Sequence, residues 1–217
     1  ASKSSSIIIN RASYKEDLSN AREAIKELGK YELRKYELER QKTILKNNKD
    51  KASLKTLKKI EKFETHGEVD FTHLILPDYS IRLLEIAPLL PFYDVDPNQV
   101  QFVGTGVWDD KIFFDEPSLQ GAIFSGIENK HRADFFDDYL YIYGEKPMRT
   151  ATIPFDLVGI LSYIVDRKMT VKDAQLFLDN SQIKLQGVDG RFNFVSNIIS
   201  RELDILQIKN GVALKLN

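Results

Sequence analysis

Three pairs of acidic residues are the side chains in this sequence that could act as general acids or bases or hold a divalent cation. A carboxylate acts in catalysis only where its surroundings tune its pKa and its geometry, and no pair has an evident basic or metal-binding neighbour in sequence. We therefore interpret the pairs as solvated turns and expect no catalytic residue. A metal-dependent, doubly wound transferase that uses them is retained as an alternative function. The pairs are Asp94 and Asp96, Asp109 and Asp110, and Asp137 and Asp138.

Other catalytic and cofactor chemistries lack their motifs. The chain has no cysteine, which excludes thiolate metal sites, disulfides and a cysteine nucleophile. His66, His73 and His131 are scattered, so no pair has the spacing of metal ligands on a helix. There is no Gly-x-Ser-x-Gly elbow, and Gly104-Thr105-Gly106 lacks the third glycine of a dinucleotide fingerprint. We expect no enzyme, no metal and no cofactor.

Two turns carry residues suited to a small-molecule site. Each follows a predicted strand, and in open parallel sheets ligands bind beyond the carboxyl ends of strands. Exposed aromatic rings beside such turns could stack on a ligand, and hydroxyl and carboxylate groups could bind it. Trp108, the only tryptophan, could equally fill the core. The candidates are Tyr79 and Ser80 in the first turn and Thr105, Trp108 and Asp109 in the second.

The elements around these turns predict an α/β fold with a Rossmann-like parallel sheet flanked by helices. Residues 72–76 and 100–103 are apolar runs typical of strands, and an apolar face from Ile81 to Leu89 indicates a helix between them, bent or ended by Pro88. Strand, helix and strand in about 30 residues is the size of a βαβ unit. The two strands are therefore expected to be parallel.

The flanking regions have weaker or different patterns. The predictions before the first turn are a strand at Ile7–Ile9, a capping box at Ser13 and Glu16 that opens a helix, a poorly supported strand over 31–38 and a charged helical segment over 39–62. The later predictions are a strand at 121–127, a helix from about Lys130 to Tyr143, one with Pro154 at its first position and one capped by Thr170. Asn210-Gly211 predicts a hairpin in a C-terminal antiparallel meander.

Charge is distributed unevenly along the chain. Residues 1–62 hold 17 lysines and arginines against 9 acidic residues, although the whole chain has a net charge of −1. The segment from about 40 to 62 is dominated by lysine with almost no aromatic residue, which is not typical of a nucleic-acid site. We expect no nucleic-acid partner. An interaction module that docks this segment on an anionic surface is a second alternative function.

Several segments together resemble one family, the penicillin-binding-protein activator family of bacterial lipoproteins. This family is a branch of the type 1 periplasmic binding proteins, related to the Leu/Ile/Val-binding proteins of ABC transporters. Gly104-Thr105-Gly106-Val107-Trp108-Asp109 and Gly187-Val188-Asp189-Gly190-Arg191-Phe192 are the most specific segments. The others are Leu76-Pro77-Asp78-Tyr79, Ala87-Pro88-Leu89-Leu90, Tyr93-Asp94-Val95-Asp96-Pro97 and Glu116-Pro117-Ser118-Leu119-Gln120-Gly121. The resemblance covers roughly residues 70–217.

The resemblance implies two lobes that close on a ligand. Residues 1–120 and about 178–217 would form the second lobe, with 39–64 as a charged helical insertion. Residues 121–177 would return to the first lobe, whose N-terminal part is missing, and would add Thr152 and Asp156 to the cleft. Tyr79 matches the aromatic residue that contacts an amino-acid ligand in the relatives. The acidic residue that holds the ligand ammonium in the relatives would fall near Gly106 in this chain, which argues against amino-acid binding.

The resemblance also implies a location and partners. The expected location is the periplasm, and the family's lipoproteins carry a lipid anchor, whose signal segment is not in this chain. The expected function is a non-enzymatic one. The module would bind an amino acid or a peptide-like molecule between the lobes, with a membrane transporter as a candidate partner, or it would activate a peptidoglycan synthase.

Overall fold

The computed structural model describes residues 10–48, 50–128, 132–196 and 198–216. These residues form two compact units, one made of 10–104 and 115–122 and the other of 105–114 and 123–216. The predicted strand at Ile7–Ile9 lies outside the described residues. Among the described residues, we find no helix with the length and apolar character that crossing a membrane requires.

The first unit contains the predicted βαβ arrangement. Strands β1 and β2 are parallel, with His73 opposite Gln101, and the Leu76 amide continues the ladder to the Val103 carbonyl at 2.9 Å. The helical connection between them is broken near Pro88, as predicted. The elements of this unit are α1 (Ala21–Leu28), α2 (Tyr31–Asn48), α3 (Lys51–Ile60), β1 (His73–Ile75), α4 (Ser80–Ile86), α5 (Leu89–Phe92) and β2 (Gln101–Gly104).

Two N-terminal predictions are wrong. The segment 31–38 is the start of helix α2 and not a strand, because Tyr31, Arg34 and Leu38 are buried at helical spacing on one face. Ser13 and Glu16 do not open a helix, since the first helix begins at Ala21. The charged segment predicted to be helical over 39–62 is helical over 39–48 and 51–60, and α3 begins with the Asp50 side chain accepting hydrogen bonds from two amides of its first turn.

The second unit contains two antiparallel sheets. In the first, β7 pairs with both β3 and β8, and in the second, β5 pairs with both β4 and β6. The predicted C-terminal meander is thus divided between two sheets, and β4 and β6 were not predicted. The strands are β3 (Ile123–Gly126), β4 (Leu185–Gly187), β5 (Gly190–Val195), β6 (Ile198–Arg201), β7 (Asp204–Lys209) and β8 (Val212–Lys215).

The β7–β8 hairpin shows why its turn was predictable. Asn210 and Gly211 have φ angles of 52° and 78°, the left-handed backbone that a two-residue type I′ turn requires at both central positions. Asparagine and glycine adopt this conformation more readily than other residues. The local sequence therefore specifies this turn without help from tertiary contacts.

The helices of the second unit begin close to where the sequence predicts. The Thr170 hydroxyl accepts a hydrogen bond from the Asp173 amide and caps α9, as expected. Pro154 is the third residue of α8 and not the first, because the helix already begins at Thr152. The helices are α6 (Lys111–Phe114), α7 (Ala133–Tyr143), α8 (Thr152–Asp166) and α9 (Val171–Asp179).

Candidate functional site

The first predicted turn keeps one aromatic side chain exposed. Tyr79 precedes α4 and is 58% exposed, and Ser80 after it is exposed with a φ of 55°. The neighbouring Asp78 is buried and accepts hydrogen bonds from the Tyr14 hydroxyl and, at 2.9 Å, from Arg82 Nε. Burial, followed by the Asp78 contact, raises the pKa of Tyr14. Asp78 therefore anchors the turn, and Tyr79 faces solvent.

The second predicted turn places its aromatic residue in the core. Gly106–Trp108 forms a short 3₁₀ turn, and the Trp108 side chain is 0% exposed. The structure thus decides between the two alternatives that the sequence left open for Trp108: this large apolar ring fills the core and is not an exposed ligand contact. Thr105 is exposed. Space at Gly106 is tight, since a Cβ there would lie 3.3 Å from the Ser125 carbonyl oxygen.

Asp109 is held by two arginines. Its Oδ1 accepts a hydrogen bond from Arg132 Nη2 at 2.6 Å, and its Oδ2 accepts one from Arg149 Nε at 3.1 Å. Arg132 precedes α7, and Arg149 lies in the 3₁₀ turn before α8. Asp109 and Arg132 are both buried. Charge-assisted bonds of this kind are among the stronger ones in proteins, so both carboxylate oxygens are already engaged.

Asp189 extends this cluster from the turn between β4 and β5. Its Oδ2 accepts hydrogen bonds from Arg149 Nη1 at 2.8 Å and from the Thr152 hydroxyl at 2.6 Å. Its Oδ1 is buried without a hydrogen-bond donor among the described residues, and Arg132 Nη1 is 3.7 Å away. Burial alone would raise the pKa of Asp189, but the bonds from Arg149 and Thr152 outweigh burial and lower it.

Asp156 forms the other end of the cluster. Its Oδ2 accepts a hydrogen bond from Arg201 Nη2 at 2.9 Å, and its Oδ1 accepts one from the Val188 amide at 2.7 Å. Thr152 and Asp156 are one helical turn apart, so they share the buried face of α8. Arg201 also donates to the Asp189 carbonyl at 2.9 Å, which joins Asp156 to the rest of the cluster.

We call this set the buried ion cluster of the second unit. It contains three carboxylates and three guanidinium groups, so its formal charges balance. Of the residues predicted for a ligand site, it brings together Asp109, Thr152 and Asp156. The full set is Asp109, Arg132, Arg149, Thr152, Asp156, Asp189 and Arg201.

Sequence reasoning missed the four other members of the cluster. The segment containing Asp189 was singled out only through the resemblance, and nothing in the sequence indicates that Arg132, Arg149 and Arg201 converge on it. Gly187 supplies a further constraint, since a Cβ there would lie 2.4 Å from Asp156 Oδ2. No group of three or more acidic or histidine side chains suited to a metal ion occurs among the described residues.

Comparison with solved structures shows the fold. An extracellular ligand-binding receptor from Rhodopseudomonas palustris HaA2 superposes with a TM-score of 0.53 at 14% identity, over 81% of this chain and 65% of that one. The chain thus shares the α/β fold of this receptor, which agrees with the fold class that the sequence predicts.

Two further solved structures are similar at lower scores. LivJ from Streptococcus pneumoniae, a branched-chain amino acid substrate-binding protein in complex with isoleucine, has a TM-score of 0.48 and 18% identity over 73% of this chain and 46% of that one. The C-domain of LpoA from Haemophilus influenzae, a regulator of PBP1A, has a TM-score of 0.48 and 11% identity over 68% and 45%. The chain spans about half the length of such proteins. No protein-family model and no curated protein matches the sequence.

Proposed function

We propose that this chain is a non-enzymatic binding module of the periplasmic binding-protein type that acts by contacting a protein partner. The partner class that the sequence resemblance suggests is a peptidoglycan synthase. The observation that carries the proposal is the buried ion cluster, which engages three of the polar residues expected to contact a ligand, Asp109, Thr152 and Asp156. The fold shared with an extracellular ligand-binding receptor supports the class of protein.

The state of the cluster disfavours catalysis. A general base needs a free lone pair and a pKa near the working pH. Both oxygens of Asp109 and both oxygens of Asp156 accept hydrogen bonds within the protein, and the pKa of Asp189 is lowered. These carboxylates therefore position neighbouring segments. Asp109 is also poorly suited to hold a ligand ammonium, because two guanidinium groups already neutralise it.

An apolar surface on α8 supports a protein partner. Val158, Leu161 and Val165 follow one another at helical spacing on the face opposite Thr152 and Asp156, and they are 60%, 60% and 71% exposed. We call these three residues the α8 apolar face. Exposed apolar patches on a folded protein are typical of interaction surfaces, and this one lies on the helix whose polar face is fixed by the buried ion cluster.

The test is binding to a purified bifunctional penicillin-binding peptidoglycan synthase, measured by biolayer interferometry. The V158D/L161D variant places two charges on the α8 apolar face and is expected to weaken binding at least about tenfold. The matched control is L33D/Y36D, which changes two residues of α2 that have the same i, i+3 spacing and are 58% and 67% exposed. Circular dichroism checks the fold of both variants. Equal affinity of wild type and V158D/L161D would contradict the proposal.

A second candidate function is solute binding, with a membrane transporter as a further partner. The exposed Tyr79 ring and the exposed Ser80 and Thr105 hydroxyls favour it. Thermal-shift screening with branched-chain amino acids and muropeptides tests this function. A stabilisation that disappears in Y79A and persists in the control Y36A would favour solute binding, and no shift with any compound would remove it. A periplasmic location, with or without a lipid anchor, belongs to either form of the proposal.

A further inference from the structure

Helix α3 presents its lysines on one side. At 100° per residue, Lys51, Lys55, Lys58 and Lys59 fall within an arc of about 100°. All four are exposed. The opposite side of the helix carries the buried residues Ser53 and Leu57. We call the four lysines the α3 lysine face.

In the part of the chain that the structure describes, the lysines of the α3 lysine face are not paired with acidic side chains. Among the described residues, no ion pair or hydrogen bond involves these four ammonium groups. Two acidic residues adjoin the helix: Asp50 uses its carboxylate to cap the first turn through the Ala52 and Ser53 amides, and Glu61 follows the last turn. By contrast, Lys42 in the same unit forms an ion pair with Glu39 at 2.8 Å. The four charges are therefore turned to solvent.

Exposed apolar side chains border this face. Leu54 neighbours Lys58 around the helix and is 46% exposed, and Phe63 follows the helix and is 52% exposed. The Lys62 ammonium lies over the Phe63 ring, 5.2 Å from its centre. A basic helical face with an apolar border is typical of segments that lie on anionic membranes, where lysines meet headgroup phosphates and apolar side chains enter the interface.

We propose that the α3 lysine face docks the protein on a bilayer surface rich in anionic phospholipid headgroups. The lysines supply long-range attraction to the phosphates, and Leu54 and Phe63 enter the headgroup region. Lysine suits a fluid headgroup layer because its ammonium is a point charge on a flexible stem and needs no fixed partner geometry. This docking is independent of the proposed contact through the α8 apolar face.

The test is co-sedimentation of the full chain with phosphatidylglycerol/phosphatidylcholine vesicles and with pure phosphatidylcholine vesicles. The wild type is expected to bind the anionic vesicles and to be released as salt rises, because exposed charges are screened within about 8 Å at physiological ionic strength. The K51Q/K55Q/K58Q/K59Q variant is expected to lose about a thousandfold in partitioning, from a contribution of about 1 kcal/mol for each lysine near an anionic surface.

The matched control is K111Q/K146Q/K172Q/K209Q, which removes four exposed lysines elsewhere and changes the net charge equally. It is expected to keep vesicle binding. Equal loss in both variants would show that net charge alone drives binding and would overturn the proposal. Binding of the wild type to soluble polyglutamate but not to anionic vesicles would also overturn it and would assign the face to an acidic polymer.

Discussion

Arg34 in the first unit and Arg132 in the second are both buried, but they bond to different kinds of acceptor. The Arg34 guanidinium donates to backbone carbonyls and to the Thr65 hydroxyl, at distances from 2.8 to 3.4 Å. Arg132 instead donates to the Asp109 carboxylate. It also donates to the Ile127 carbonyl at 2.9 Å. One arginine thus fixes the paths of loops, and the other fixes charged side chains.

The difference also appears in the electrostatics of the two regions. Burial lowers the pKa of Arg34, because its neighbours are mostly neutral dipoles that do not replace the lost hydration. Burial acts in the same direction on Arg149, but Asp189 and Asp109 outweigh it, and the pKa of Arg149 is raised. In the first unit, a buried guanidinium therefore holds neighbouring loops through hydrogen bonds to their carbonyl groups. In the second unit, buried carboxylates and guanidinium groups balance each other's charge, so that removing one side chain leaves its partner as an unpaired buried ion.

The largest expected effect comes from R132M. This change leaves Asp109 and Asp189 buried with one guanidinium fewer, and breaking a buried ion pair from one side costs about 3–5 kcal/mol. Urea unfolding followed by circular dichroism measures the loss. The exposed-arginine control R22M is expected to stay within about 0.5 kcal/mol of wild type. If R132M were no more destabilising than R22M, the charge balance of the cluster would not matter for stability.

A smaller effect is expected from R34M. The side chains and carbonyls it leaves are mostly neutral, so the cost is that of unsatisfied buried acceptors, about 1–3 kcal/mol. R34K is expected to recover little of this loss, because an ammonium cannot span the same set of acceptors as a guanidinium fork. The same unfolding assay applies. A loss larger than that of R132M would reverse the comparison between the two arginines.

Gly187 gives a steric test of the cluster. In G187A the new Cβ would meet Asp156 at 2.4 Å, so Asp156 must shift away from Arg201 and the Val188 amide at a cost of about 1–3 kcal/mol. The control is G159A in α8, where nothing lies within 4 Å of the added Cβ. That substitution is expected to be neutral or to stabilise the helix by up to about 1 kcal/mol. Equal effects in both variants would show that Asp156 is not held in place.

The smallest expected effect is on how the free energy of unfolding changes at acid pH. The pKa of Asp189 is lower in the folded protein than its ordinary value of 3.8, so the native state binds fewer protons than the unfolded state in that range. Its contribution is complete above the ordinary value and is lost as the pH falls through the lowered native pKa. D189N is expected to lose less stability than wild type between about pH 5 and pH 2.5. The exposed control D166N should follow the wild-type curve, and a D189N curve parallel to wild type would exclude this contribution.

Local sequence patterns predicted the elements whose contacts are local. Thr170 caps α9 through the Asp173 amide three residues later, and Asn210-Gly211 turns the β7–β8 hairpin. The segment 31–38 was misread because its alternation with charge imitates a strand over a few residues. Only the whole of α2 shows that Tyr31, Arg34 and Leu38 share a buried face.

The candidate site was predictable only in part. Asp109 was named from its position after a strand and Thr152 and Asp156 through the resemblance, and the three lie in one cluster. Arg132, Arg149 and Arg201 were not named, because an arginine in sequence is most often a solvated surface residue. Trp108 could be a ligand contact or a core residue by sequence, and its burial depends on how the surrounding elements pack.

By itself, the amino-acid sequence determined the α/β class, the parallel β1–β2 unit, the lysine content of α3 and the resemblance to periplasmic binding proteins. These properties follow from apolar periodicity, turn residues and short specific segments, which act over a few positions of the chain. Tertiary structure alone decided that Trp108 is buried and that Asp109 is held by two arginines. It also decided that Asp189 joins Arg149 and Thr152. Those contacts join residues 23 to 40 positions apart, and such pairs are chosen by packing and charge balance in the folded chain.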